Sequence, residues 1–360
     1  MVDFKEMFSG KKKLVGLDIG SSSIKLAEVT SSSKGHYLER FLEVPLPKGT
    51  IIDGILADAT ALSLKIKEIF KIAKCGRRGI VTSLAGNSVI IKKVTLEQMD
   101  ETQLRDLIRD EAGKYLPFDN MDDVNYDFQI LGENNYNPNQ MDIVIVAAKK
   151  EIVNSYVEAV TAAGQGVDII DVAPFVLETL YGANYEFDNE EIVVLINIGA
   201  STTGLNVVKG GVSVFTRDFT LAGNSITESL QEKYKVTFEE AEKIKLEGLP
   251  DGSEGDNLDL QNHILQLAQP ICMEIERSID YFRSTFGGED IKRILLAGGS
   301  ARIYNLAKHL SEMLNVKTEI MDPFLKINYN KRKIDAKNIE NIKPVAATAI
   351  GLGLRKIGDK

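Results

Sequence analysis

A stretch of about thirty residues is written twice in this chain, once in each half, and the repeat limits the folds open to it. The first copy, "KLVGLDIGSSSIKLAEVTSSSKGHYLERFLEV", starts near Lys13, and the second, "EIVVLINIGASTTGLNVVKGGVSVFTRDFTL", starts at Glu191. Each reads as an apolar strand, then Asp/Asn-Ile-Gly, a run of Ser/Thr, an apolar strand, a small-residue turn and a third strand. Alternation in "IKLAEV" and "GLNVV" supports strands, and "SSSKG" and "VKGG" supply the turns. A chain with the same three-stranded opening in each half is expected to form two similar α/β lobes with a cleft between them.

Helices are expected after each opening. "GILADATALSLKIKEIFKIAKCG" carries apolar residues at three-to-four spacing and offers Gly76 as a C-cap, and "GNSITESLQEKYKVTFEEAEKIKLEG" reads as two helices. Asn224 or Ser225 suits the N-cap of the first; Thr237 with Glu240 forms a capping box for the second. Residues 88–168 read as an inserted α+β unit, with "TQLRDLIRDEAGKYLPF" a helix stopped by Pro117 and "KEIVNSYVEAVTAAG" a second helix. The expected division is 1–87 and 169–188 for the first lobe, 88–168 for the insertion and 189–343 for the second lobe. Within the second lobe, about 223–290 is helical. A small-residue helix at 344–358 is expected to pack back on the first lobe.

Composition narrows the function. The formal net charge of −9 lacks the basic excess of a nucleic-acid binder. Cys75 and Cys272 have no metal-ligand spacing and read as reduced core thiols, and His36, His263 and His309 are scattered. No apolar run approaches the ~20 residues of a membrane span. The N-terminus places Phe4, Met7 and Phe8 on one helical face ahead of Lys11 to Lys13, a face that could touch a membrane surface or a partner, though a frayed end that caps its own domain is the preferred reading. "GLPDGSEGDNLD" reads as an open acidic loop.

The repeated turn suits phosphate, because a Gly/Ser turn after a strand aims several backbone N–H groups at one point. In the first copy Asp18 can hold a magnesium-bound water, Ser21, Ser22 and Ser23 add hydroxyl donors, and Lys25 can neutralise phosphate charge. A third strand–turn–helix unit, "ILLAGGSARIYNLAKHL", places Gly298 and Gly299 where backbone can pass beside a base or ribose.

"DIGSSSIK", "NIGASTT" and "LLAGGSARI" resemble, in that order, the phosphate-1, phosphate-2 and adenosine motifs of the actin-like ATPase superfamily. "AEKIK" resembles the nucleotide-facing helix of the bacterial actin homologues MreB and FtsA. The insertion in the first half, with "DEAGKYLPF", "VNYDFQIL" and "DIVIVAAKKEIVNSYVEAVTAAG", resembles the PilM family of type IV pilus assembly proteins, over roughly residues 12–355. The resemblance implies two actin-like (ribonuclease H-like) lobes around an ATP site. Gly20, Ser21, Ser22, Ser23 and Lys25 would face Asn197, Gly199, Ser201, Thr202 and Thr203. Glu242 and Lys245 would contact ribose or adenine opposite Gly298, Gly299 and Ser300, and Asp18 would hold magnesium through water.

It also implies a cytoplasmic scaffold recruited to the inner face of the membrane. Its partners would be the cytoplasmic N-terminal tail of the membrane protein PilN, bound in a groove between first lobe and insertion, and the pilus assembly ATPase. Two positions depart from the superfamily's ATPases. The second hairpin begins with Asn197 instead of Asp, and Ala173 stands where several relatives carry a water-orienting Glu or Gln; Asp171 is a candidate substitute on the same side of its strand. Binding of ATP with slow or absent hydrolysis is therefore expected. An FtsA-like membrane tether is the alternative, disfavoured because "LGLRKIGDK" offers no terminal amphipathic helix. A metabolic kinase would need a general base for its substrate hydroxyl, and no acidic residue beyond Asp171 stands at a suitable strand end.

Overall fold

The structure is a computed structural model that describes residues 14–134, 137–249, 257–286, 290–334 and 338–358. The apolar face of Phe4, Met7 and Phe8 and the centre of the acidic loop, 250–256, lie outside these residues.

The first repeat folds into an antiparallel meander of β1 (Leu14–Ile19), β2 (Ser23–Ser32) and β3 (Gly35–Pro45). A small hairpin of β4 (Ile51–Ile52) and β5 (Ile55–Leu56) leads into α1 (Ala59–Ala73). Asp58 caps α1 by accepting from Ala61 N–H; Lys74, in the left-handed region at φ 49°, ends it, so the cap is not the expected Gly76. Strand β6 (Gly79–Leu84) returns parallel to β1.

The chain then builds a separate three-stranded antiparallel sheet from β7 (Ile90–Glu97), β8 (Val124–Asn134) and β9 (Asn137–Lys149), with β9 central. Helix α2 (Glu101–Tyr115) lies between β7 and β8 in sequence. It buries Leu104, Ile108 and Ala112 against Met141, Ile143, Ile145 and Ala147 of β9, the alternate residues of one strand face. Helix α3 (Lys150–Ala162) follows, then β10 (Gly166–Val172) beside β6, and α4 (Ala173–Asn184) crosses to the second lobe. Although α3 falls inside the expected insertion, its Tyr156, Ala159 and Val160 belong to the core beneath the first sheet, with Leu62, Ile66 and Ile69 of α1. Its apolar stripe covers the first sheet, a choice that strand–helix order cannot express.

The second repeat folds the same way, as β11 (Ile192–Ile198), β12 (Thr203–Lys209) and β13 (Val212–Phe219). Helices α5 (Gly223–Tyr234), α6 (Phe238–Glu247) and α7 (Asn257–Thr285) follow. Then come β14 (Ile291–Ala297) parallel to β11, α8 (Leu306–Leu314) and β15 (Thr318–Ile320). Short β16 (Asn328–Tyr329) crosses back to the edge of the first sheet, and α9 (Ile339–Leu354) ends the described chain's regular structure. The sheet orders, β10-β6-β1-β2-β3-β16 and β13-β12-β11-β14-β15, extend the repeat from sequence to topology.

Both faces of the second sheet are buried. Val194, Ile196 and Ile198 join the core under α5 to α8, while Val193 and Leu195 face a core shared with α4 and α9. Helix α9 packs between the two sheets, and its small residues make that approach feasible. A Cβ on Gly16 of β1 would collide with the α9 backbone at Ala349, and one on Gly351 with the α4 carbonyl of Val176.

Candidate functional site

The Ser/Thr turns of the two repeats close with the same bond. Ile19 pairs with Ile24 and Gly20 N–H donates to Ser23 O at 3.1 Å; Ile198 pairs with Thr203 and Gly199 N–H donates to Thr202 O at 2.9 Å. The turns face each other across the lobes, where Ser201 Oγ donates to Ser21 Oγ at 2.8 Å. Not every hydroxyl faces the cleft. Ser23 is buried and donates to Glu43 Oε1, and Thr203 donates to Leu221 O. Ser22 is exposed, while Ser21, Ser201 and Thr202 are half-buried at the mouth.

Asp18 and Lys25 are cross-strand partners, with Nζ 3.3 Å from Oδ2. The ammonium is thereby held beside the Gly20 turn, 3.5 Å from where a Cβ on that residue would stand. Asn197 sits at the matching place of β11, between Gly204 of β12 and Ala297 of β14. Next to it, Gly298 has φ 90°, and a Cβ there would strike the Ile198 carbonyl and stand 2.5 Å from Asn197 Oδ1.

The second turn is braced from behind. Ser300 Oγ donates to Gly199 O at 2.9 Å, and Gly223 and Asn224 N–H donate to Gly199 and Ala200 carbonyls. Those two amides are among the first of α5, which is N-capped at Ala222 with no side-chain cap. The hairpin backbone therefore does what Asn224 or Ser225 was expected to do. Lys245 is buried, and its Nζ donates to Gly223 O, Thr227 Oγ1 and Glu242 Oε2 at 3.2, 2.8 and 2.6 Å. Burial lowers its pKa, opposed by Glu242. All three ammonium donors are engaged, so Lys245 anchors α5 and Glu242; the side chain left toward solvent is Glu242, 40% exposed. A cavity of about 130 Å³ beside α6 is lined by Lys245, Leu260 and Tyr304.

Asp171 lies at the C-terminal end of β10, level with Ser83 of β6. With β6 between it and β1, it stands roughly 10 Å, two strand spacings, from the level of Asp18. It is buried, its Oδ2 is 2.9 Å from Arg355 Nε, and Oδ1 accepts from Val172 N–H. Burial raises its pKa and Arg355 opposes this. The structure thus gives this carboxylate a cationic partner of its own.

One residue at the cleft carries no local sequence signal. Asn197, Gly204 and Asp218 stand in one row across β11, β12 and β13, so their side-chain positions share a face. Gly204 leaves that row open, and Asp218 Oδ1 lies 2.8 Å from where its Cβ would be. Asp218 Oδ2 accepts from Gly86 N–H of the first lobe at 2.8 Å. Burial raises the Asp218 pKa, partly offset by that N–H. In sequence it is an ordinary charge in "FTRDFTL".

The residues present suit a nucleotide phosphate. Two glycine turns approach each other with hydroxyls that, among the described residues, bond only to one another at Ser21 and Ser201, an Asp–Lys pair adjoins one, and a positive-φ glycine admits backbone contact at the other. A phosphate entering there would replace the Ser21–Ser201 hydrogen bond, which both hydroxyls can do. Among the described residues no group of three or more His, Cys, Asp or Glu gathers to hold a metal, and no helix is long and apolar enough to cross a membrane.

Comparison with known proteins accords with this architecture. A solved structure of a PilM-PilN type IV pilus biogenesis complex superposes with a TM-score of 0.83 and 27% identity, over 96% of this chain and 99% of the other. The ethanolamine utilization protein EutJ from Carboxydothermus hydrogenoformans gives 0.54 at 16% identity, covering 94% and 88% of the two chains. MreB 5 of Spiroplasma citri bound to AMPPNP gives 0.50 at 14%, covering 87% and 92%. These two show an actin-like fold of two lobes and nothing more specific. The cell division protein FtsA of Staphylococcus epidermidis is 24% identical over 205 residues, 51% of this chain but only 43% of that protein. The profile of the family described as type IV pilus assembly protein PilM matches residues 16–357, nearly the whole chain, and the chain therefore belongs to the PilM family.

Proposed function

We propose that this protein is an ATP-binding scaffold of type IV pilus assembly that hydrolyses ATP slowly or not at all. The observation that carries the reading is the pair of identically closed Ser/Thr turns meeting at Ser21 and Ser201, in a chain of the PilM family. Gly20, Ser21, Ser22, Gly199, Ser201 and Thr202 would hold phosphate with Lys25, and Asp18 would hold magnesium through water. Gly298, Gly299 and the exposed side of Glu242 would line the nucleoside end. Ser23, Thr203, Ser300 and Lys245 act one layer behind, fixing the turns. Magnesium would supply charge neutralisation at the phosphates. An amide at Asn197, alanine at 173 and an Asp171 paired with Arg355 leave the positions expected to orient attacking water without an unpaired carboxylate.

The partner would be the N-terminal cytoplasmic tail of PilN, an extended segment suited to a groove between the first lobe and the β7–β9–β8 sheet. Through it the protein would sit at the inner face of the cytoplasmic membrane and connect to the pilus assembly ATPase. Calorimetric titration of the full chain with a synthetic PilN tail, with and without Mg-ATP, tests the scaffold reading. Binding is expected, and its absence in both states overturns the reading. Phosphate release well above about one per minute, alone or stimulated by partner, would overturn the slow-hydrolysis part, since even a GTPase site that keeps its water-orienting Gln turns over at only about 0.02–0.03 per minute unaided.

A further inference from the structure

At the end of the first sheet remote from the cleft, the β2–β3 turn and the segment after β16 enclose an open cavity of about 670 Å³. Lys34, His36, Tyr37, Tyr329, Lys331 and Arg332 line it, and among the described residues no carboxylate does. The backbone beneath is fixed. Strand β16 pairs with β3 at Tyr37 and Leu38, Asn330 N–H donates to Leu38 O, and Asn330 O accepts from Lys333 and Ile334 N–H. Arg332 N–H donates to Asn330 Oδ1. The result is a hydrogen-bonded turn presenting exposed cations. Among the described residues Lys34, Lys331, Arg332 and Lys333 form no ion pair, although the chain carries a net charge of −9 and cations elsewhere, such as Lys93 and Arg217, are matched to carboxylates. His36 adds a titratable group. Burial, then the neighbouring Lys356, lowers its pKa, and Ser31 Oγ is 2.8 Å from Nδ1.

We propose that this cavity is the docking site for an acidic segment of a partner protein, whose carboxylates pair with Lys34, Lys331 and Arg332. A phosphate here would have to be held by side chains alone, because the backbone N–H groups of Asn330, Arg332, Lys333 and Ile334 are already bonded. An anionic bilayer would meet a concave basic spot on an otherwise acidic chain. Two tyrosines, an arginine and the unpaired outer edge of β16 are instead the groups that protein interfaces favour. The cavity lies about 30 Å from the phosphate turns, the length of β2 at ~3.3 Å per residue, so the segment and a nucleotide can be held together. The proposal does not depend on nucleotide binding.

The test is fluorescence anisotropy of a fluorescein-labelled peptide of alternating glutamate and tyrosine with the full chain. Binding is expected to weaken at least tenfold in Lys331→Glu/Arg332→Glu, checked for wild-type melting, and little in the charge-matched Lys67→Glu/Lys71→Glu on α1. It is expected to tighten as pH falls from 7.5 to 6, because a bound carboxylate favours protonated His36. Equal weakening in both double variants overturns the proposal, as does no binding. So does tighter, variant-sensitive binding of inorganic pyrophosphate or of phosphatidylglycerol vesicles, which would assign the cavity to a small anion or a lipid surface.

Discussion

Gly298 illustrates how much one residue can hold. Its φ of 90° and the carbonyl and amide around its missing side chain leave no room for a methyl group. Gly298→Ala should cost about 1–3 kcal/mol in urea unfolding, whereas Gly76→Ala, with nothing within 4 Å, should stay within ~0.5 kcal/mol. Asn197 is the other telling residue. Replaced by Asp beside the proposed phosphates, it should keep or raise Mg-ATP affinity and raise phosphate release, read by calorimetry and a release assay. Collapse of binding would show that the amide has a separate task. That Asp18, Gly20, Ser21, Gly199 and Gly298 lie in or beside strand-end turns was legible in sequence because turn chemistry is local. That Ser23, Thr203 and Lys245 turn away from the cleft was not, since their partners Glu43, Leu221 and Gly223 come from another strand, the loop after β13 and another helix.

Among the elements, α4 matters most, because it joins the lobes. Burial pushes its Glu178 carboxyl up to about 7, against hydrogen bonds from Asn206 and the Ser213 N–H; Asp171 adds to the rise and Arg355 opposes it. One Glu178 oxygen is buried without a hydrogen-bond partner. The folded pKa lies above the unfolded value of 4.5, so between 4.5 and about 7 the folded chain holds a proton the unfolded chain releases. Stability is therefore lost as pH rises through that window. Glu178→Gln should be more stable than wild type at pH 8 by about 1–3 kcal/mol, with the gap closing toward pH 4.5, in thermal melts across pH. Equal melting at both ends would rule out the buried charge as the cause. The helices themselves were readable, as with the Thr237–Glu240 capping box of α6. Their docking was less so: α3 joined the first lobe's core because its stripe of Tyr156, Ala159 and Val160 fits α1.

For the whole molecule, the question is what keeps the lobes closed. Ser21–Ser201, Gly86–Asp218 and Lys48–Glu228 bridge them, with Lys48 also 4.5 Å from the Phe238 ring centre. The exposed Lys48 pair contributes little in solvent. The half-buried Asp218 bond matters more, since a hydrogen bond to a charged group is worth about 1.5–3 kcal/mol. Asp218→Ala should accelerate Gly86 amide exchange by roughly tenfold or more, since 1.4 kcal/mol is a factor of ten. Unchanged exchange would mean that other contacts hold the closed state. The sequence by itself determined the two-lobed plan, because a repeated strand–turn–strand pattern dictates local hydrogen bonding and face alternation wherever it occurs. Only the tertiary structure decided that Asp218 reaches Gly86, that Arg355 claims Asp171, and that Lys34 meets Lys331 and Arg332. Those contacts join residues far apart in the chain, and their geometry depends on how the sheets and α9 pack, which no local pattern encodes.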